Sequence, residues 1–140
     1  MMLKVKLTIY LFLFIVFASF AQQADDIIGK YSLPNKLDVK IFKVNDKYYG
    51  EIIALNGYEN GQTKDFKNPD KSKHSDLLLG KLIIQGLEFD KNDKEWINGN
   101  MYGAEKGMVF NLRITDVKEK YIEVVGSKYL FWKTLIWEKI

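Results

Sequence analysis

His74 is the only histidine of this 140-residue chain, and the chain has no cysteine. A Ser-His-Asp arrangement would therefore have to be built on His74. It lies between Lys73 and Ser75, with Asp70 and Asp76 near in sequence. Nothing in the sequence orients its imidazole, and a solvated loop histidine accounts for it as well. Asp65, Asn68, Asp70 and Asp76 raise the question of a calcium site. Their spacing is not that of a 12-residue loop with glycine at its sixth place. Asx residues that bond their own backbone, with Pro69 fixing φ, explain the same pattern. Zinc sites of the cysteine type are excluded, and one histidine cannot form a histidine cluster. No glycine-rich loop opens a helix, so no phosphate cradle is read. No pair of carboxylates is recognisable as an acid/base pair. The sequence assigns no catalytic residue, no metal and no cofactor; Asn68, Asp70 and His74 stay as loop candidates.

The elements that would have to position these residues are strands. Asn56 to Asp76 is the longest stretch without periodicity, with Gly57, Gly61 and Pro69. Before it, Leu37 to Val44 alternates, with Leu37, Val39 and Ile41 on one face. Asn45-Asp46 reads as a hairpin turn, and Lys47 to Leu55 as the return strand. After it come strands over Leu77 to Phe89, Glu95 to Tyr102, Met108 to Thr115, Tyr121 to Val125 and Tyr129 to Trp137. Gly50, Gly80 and Gly86 mark bends or bulges. Asp25-Asp26 before Ile27-Ile28-Gly29 predicts one helical turn ahead of the first strand. About eight or nine short strands with hairpin connections predict an all-β, antiparallel sandwich or up-and-down barrel. Repeats, low-complexity segments and interdomain linkers are absent.

Residues Met1 to Ala21 read as a secretory signal peptide. Lys4 and Lys6 supply the positive region, Leu7 to Phe17 the apolar one, and Ser19-Phe20-Ala21 puts small residues at the two inspected positions of a cleavage site. The apolar stretch is shorter than the roughly 17–25 residues a membrane helix needs, so no membrane span is expected after cleavage. The mature protein is expected to be periplasmic or secreted. Cleavage leaves Gln22 to Ile140 as one domain with one core. Two of the 21 basic residues leave with the leader, so 19 Lys and Arg face 18 Asp and Glu. The whole-chain pI of 8.9 overstates that balance. Nucleic-acid binding calls for a clustered basic face, and none is read. Without disulfides, an exported chain of this size is held by burial alone.

The aromatic residues are the strongest remaining signal. Tyr48, Tyr49, Trp96, Tyr102, Phe110, Tyr129, Phe131, Trp132 and Trp137 fall on strands. In the last strand Phe131, Leu135 and Trp137 face one way, and Leu130, Trp132 and Ile136 the other. Such a strand is buried on both sides or exposes a contact patch. An eight-stranded barrel is wide enough to be filled by side chains or to hold one small ligand.

The order KYYGEIIAL, KNPD, LLLGKLIIQGLEF, EWINGNMYG and KTLIW resembles the DUF2147 family of small exported bacterial proteins, from about Asp26 to Trp137. The resemblance implies a lipocalin-type (calycin) barrel of about eight antiparallel strands. It does not imply an activity, because none is established for the family. The chain departs from the family pattern in three places. Gly103-Ala104 stand for Asp-Pro, Val125 for an Arg, and Lys133-Thr134 for Arg-Thr. Calycins open their first strand with Gly-x-Trp and lay a cation of the last strand across that ring. Gly29-Lys30-Tyr31 and Lys133 are similar to that pair, implying a structural contact worth about 0.5–1 kcal/mol at the closed end.

The leading expectation is a binding barrel for an apolar or amphipathic small molecule. Its inward lining would be Tyr48, Ile52, Ile83, Tyr102, Phe110 and Leu112, and the Asn56 to Asp76 loop would be its mouth or lid. The alternative is an envelope or partner-interaction protein with a packed barrel and a working aromatic surface. A third reading is an enzyme of unknown reaction centred on His74.

Overall fold

The computed structural model describes residues 21–140; apart from Ala21, the expected leader lies outside them. Eight antiparallel strands close into one barrel in sequence order. They are β1 (Gly29–Ser32), β2 (Asp38–Val44), β3 (Lys47–Ala54), β4 (Leu82–Asp90), β5 (Glu95–Gly103), β6 (Met108–Val117), β7 (Tyr121–Lys128) and β8 (Phe131–Lys139). Helical structure among the described residues is limited to short turns, including the expected one at Ala24–Ile27. No helix there is long and apolar enough to cross a membrane.

Alternation builds the core. Val39 and Ile41 of β2, Tyr48 and Ile52 of β3, Leu112 and Ile114 of β6, and Ile122 and Val124 of β7 are buried. Within each strand they stand two or four apart, with buried Gly50 between Tyr48 and Ile52, as a period of two requires. Two glycines let the interior close further. A Cβ on Gly50 would stand 2.7 Å from Ile84 Cδ1, and one on Gly99 2.5 Å from Leu87 Cδ2. Large side chains thus lie over bare backbone, which narrows this part of the barrel.

One end is plugged. The turn Ala24–Ile27 lies across it and buries Ile27. Trp96 Nε1 donates to the Ala24 carbonyl at 2.8 Å, Tyr31 Oη to the Ile27 carbonyl at 2.8 Å, and Tyr48 Oη to Asp25 Oδ1 at 2.7 Å. Three amphipathic rings thereby bury their bodies in the core and spend their polar tips on the plug. The hairpin tips beside it are polar: Asn45-Asp46, Lys91 to Lys94 and Lys118 to Lys120.

The opposite end carries the β1–β2 turn, the connection from Leu55 to Lys81, the β5–β6 turn and the β7–β8 turn. The sequence places the start of β4 at Leu77; the structure places it at Leu82. Leu77 to Lys81 belong to the connection instead, bonded back to it by Leu78 N to Thr63 O and the Lys64–Leu77 bridge. β1 is short, and its seam with β8 has only two pairs, Tyr31–Lys139 and Ser32–Glu138. Toward the mouth β8 runs on without a β1 neighbour.

Candidate functional site

At this unplugged end the interior opens into a cavity of about 580 Å³. Its walls are Gly103 of β5, Met108 and Phe110 of β6, Gly126 of β7, and Lys133 and Leu135 of β8. Register explains the set. Gly126 pairs with Lys133 and Val124 with Leu135, so Lys133 and Leu135 share the inward face with buried Trp137. Phe110 is the centre. Cβ atoms on Gly103 and Gly126 would lie 3.1 and 3.2 Å from its ring, so the ring rests against bare backbone on both neighbouring strands. Any side chain at those two positions would crowd Phe110.

The rim is charged and aromatic. Glu105, Lys106, Lys128, Tyr129, Phe131 and Trp132 border the opening. Glu105 leans toward the inner face: its Oε1 would be 3.6 Å from a Cβ on Gly103. Tyr58, fully buried, donates to Glu105 Oε2 at 3.4 Å, and burial pushes its phenol up from its ordinary value. Lys128 Nζ donates to the Val109 carbonyl at 2.8 Å and stands 5.7 Å from the Tyr129 ring centre. Among the described residues Lys106, Lys128 and Lys133 have no ion-pair partner. The indole Nε1 of buried Trp137, deeper on the same face of β8, also has no hydrogen-bond partner.

The six lining candidates divide. Phe110 lines the cavity. Tyr48, Ile52 and Leu112 face inward but are packed in the core, Tyr48 against the plug. Ile83 and Tyr102 do not line the interior. Ile84 pairs with Met101 and meets the inner side of Gly50, so alternation turns Ile83 and Tyr102 outward. They are covered there by the Leu55–Lys81 connection. An outward strand face buried by a loop has the same apolar composition as an inward one, which is why sequence alone misassigns it. The sequence pattern does not single out Met108, Leu135, Gly103 or Gly126 as lining, and it puts Lys133 at the closed end, whereas the structure puts it at the mouth. Only the alternation of β8 pointed toward Leu135.

The loop candidates build the loop. Asp65 is the one buried charged residue among those described. It accepts from Tyr102 Oη at 2.7 Å and Asn68 Nδ2 at 2.8 Å, and pairs with Lys81 at 3.3 Å. The His74 ring Nε2 is 2.7 Å from the Asn68 carbonyl oxygen. Asp70 accepts from the backbone and hydroxyl of Ser72, which holds its carboxyl below its ordinary value. These side chains stitch a connection to the outside of the barrel. Among the described residues no group of three or more His, Asp or Glu side chains is placed to hold a metal.

The pairing of Tyr31 with Lys133 is not formed. Tyr31 is opposite Lys139, and Lys133 is at the mouth opposite Gly126. Six residues of strand separate the two lysines, roughly 20 Å at about 3.3 Å per residue. The Tyr31 hydroxyl goes to Ile27 instead, and burial pushes its phenol up to about 12.

A second hollow, of about 610 Å³, lies on the outer face. Asn98, Asn111, Arg113 and Trp132 border it. Ile97 and Val125 share its lining with polar Asn98, Asn111, Arg113 and Ser127, so the more apolar mouth cavity is the better ligand site.

A barrel plugged at one end and hollow at the other is the architecture of a lipocalin-like protein. The family described as an uncharacterized protein conserved in bacteria, DUF2147, matches residues 29–139, and the chain belongs to it. In the solved structures, the chain is similar to protein HP1028 from Helicobacter pylori, described as belonging to the lipocalin family. The TM-score is 0.70 at 19% identity, over 81% of this chain and 82% of that one. No curated protein matches the sequence.

Proposed function

We propose that this is an exported binding protein for an amphipathic small molecule, held in the mouth cavity. The observation that carries the reading is the cavity around Phe110. Its volume falls in the range of about 300–1,000 Å³ typical of ligand pockets. Apart from Lys133 its walls are apolar, and its other charged groups converge at the rim. An apolar body would lie on Phe110, Leu135 and Met108. Lys133, Lys106 and Lys128 would meet an anionic head group, which favours a carboxylate or similar acid over a neutral ligand. Export rests on the leader pattern of Met1 to Ala21, and the mature protein would work in the periplasm or outside the cell.

The test is titration with an environment-sensitive amphipathic acid, such as a dansylated fatty acid, against the protein and its Leu135→Trp variant. The reading expects saturable enhancement at one site per chain, lost in the variant. Equal response from both proteins would place the probe elsewhere and remove the reading.

A further inference from the structure

The hairpin between β7 and β8 is exposed in a way a soluble barrel does not need. Tyr129, Leu130, Phe131 and Trp132 are 90, 86, 81 and 76% exposed, four large apolar side chains in succession. Phe66 is also exposed, on the loop whose Lys67 carbonyl abuts Gly107 in the β5–β6 turn. The mouth end therefore projects apolar residues from two elements, whereas the hairpin tips of the plugged end are polar.

We infer that the mouth end docks on an anionic lipid bilayer, with Tyr129 to Trp132 entering the interface. Charge selects this occupant. Lys106, Lys128 and Lys133 surround the tip without ion-pair partners, and Glu105 is the one acid at the rim. From Val124 to Trp137 no acidic residue occurs. Each lysine near an anionic surface adds an attraction that salt screens. Aromatic rings of Trp and Tyr settle at head-group depth, and lysine stems lie along apolar surface with their charges in water. A second copy is the less suitable occupant. A two-fold contact brings the same patch against itself, lysines against lysines. Docking does not depend on the ligand reading, although it would turn the cavity mouth toward the lipid.

Trp132 reports on the tip, because Trp96 and Trp137 are buried. The mature protein is mixed with vesicles of phosphatidylglycerol or of phosphatidylcholine, and tryptophan emission and co-sedimentation are followed. The inference expects a blue shift and binding on phosphatidylglycerol at least about tenfold stronger than on phosphatidylcholine, weakened by salt. Leu130→Asp should lower binding at least about tenfold with an unchanged melting temperature, since Leu130 is solvent-exposed. Trp132→Phe should abolish the shift, and Leu135→Trp, which fills the cavity, should leave vesicle binding in place. No binding to phosphatidylglycerol would overturn the inference, as would binding indifferent to Leu130→Asp. A lipid-free blue shift that follows protein concentration, with a dimer mass in solution, would assign the tip to a second copy and overturn it equally.

Discussion

Tyr102 Oη donates a 2.7 Å hydrogen bond to Asp65 Oδ1, and this contact fastens the longest connection to the outside of the barrel. Lys81 completes the arrangement, with Nζ 3.3 Å from Asp65 Oδ2 and 5.6 Å from the centre of the Tyr102 ring. A buried carboxylate is tolerated here because Tyr102, Asn68 and Lys81 all turn to it. Asp65→Ala leaves the Tyr102 hydroxyl and the Asn68 amide without this acceptor and Lys81 with Asp76 alone, and should cost about 2–4 kcal/mol. Tyr102→Phe removes one bond to a charged acceptor and should cost about 1–2 kcal/mol. Chemical denaturation measures both. Limited proteolysis should show cleavage within Leu55–Lys81 rising more for Asp65→Ala than for Tyr102→Phe. Equal stability of all three proteins would mean that the loop is held by apolar contacts alone.

Gly99 and Gly107 test close approach at two different places. A Cβ on Gly99 would meet Leu87 in the core, and overpacking of this kind costs about 1–3 kcal/mol. A Cβ on Gly107 would fall 1.9 Å from the Lys67 backbone oxygen, at a φ of +61° that also disfavours a side chain. Gly99→Ala should lower the melting temperature with the loop still protected. Gly107→Ala should expose the loop to protease. Thermal melts and proteolysis on both variants separate the two effects.

Buried tyrosines set the alkaline limit of stability. Burial is the largest cause holding the phenols of Tyr31, Tyr48, Tyr58 and Tyr102 above their ordinary value of 10.0, with nearby carboxylates adding to it. A phenol raised in the folded state lends stability that is whole below about pH 10 and is lost as pH rises through its folded value. Phenolate absorbance should therefore appear in two steps, the second coinciding with loss of the far-ultraviolet β signal. Smooth ionisation of every tyrosine without unfolding would show that these four are reachable by solvent.

Asp25 should set a milder acid response at the plug. The Tyr48 hydroxyl and then Lys43 hold its carboxyl below the ordinary 3.8. A depressed carboxylate stabilises the fold above its unfolded value and stops doing so as pH falls through its folded value. Asp25 is largely exposed, so the effect is small. Asp25→Asn should flatten the pH dependence of the melting temperature below about pH 4. An identical profile in the variant would remove Asp25 from the plug's stability.

The barrel was legible because its signals are local. Alternation in β6 and the Asn45-Asp46 turn are read from neighbours in sequence, and the plug turn from Asp25 and Asp26. Inward and outward assignments were less legible. β4 carries a register irregularity against β3 beside Ile83, which a period of two cannot anticipate. Both faces near it are apolar, because the connection covers the outer one. The cavity was least legible. It depends on Phe110 resting against Gly103 and Gly126, residues from three strands whose register no single stretch encodes. Lys133 was assigned to the wrong end for the same reason. Its partner is set by where β1 meets β8, and that seam has only two pairs.

The most direct measurement is a native mass spectrum of the protein purified from its own cells, beside a denatured one and beside the Leu135→Trp variant prepared in the same way. The proposed function predicts a discrete extra mass on the native wild-type chain, lost on unfolding and absent from the variant. It also predicts a chain mass beginning at Gln22. A bare wild-type chain that gains no mass when amphipathic acids are added would contradict ligand binding in the Phe110 cavity.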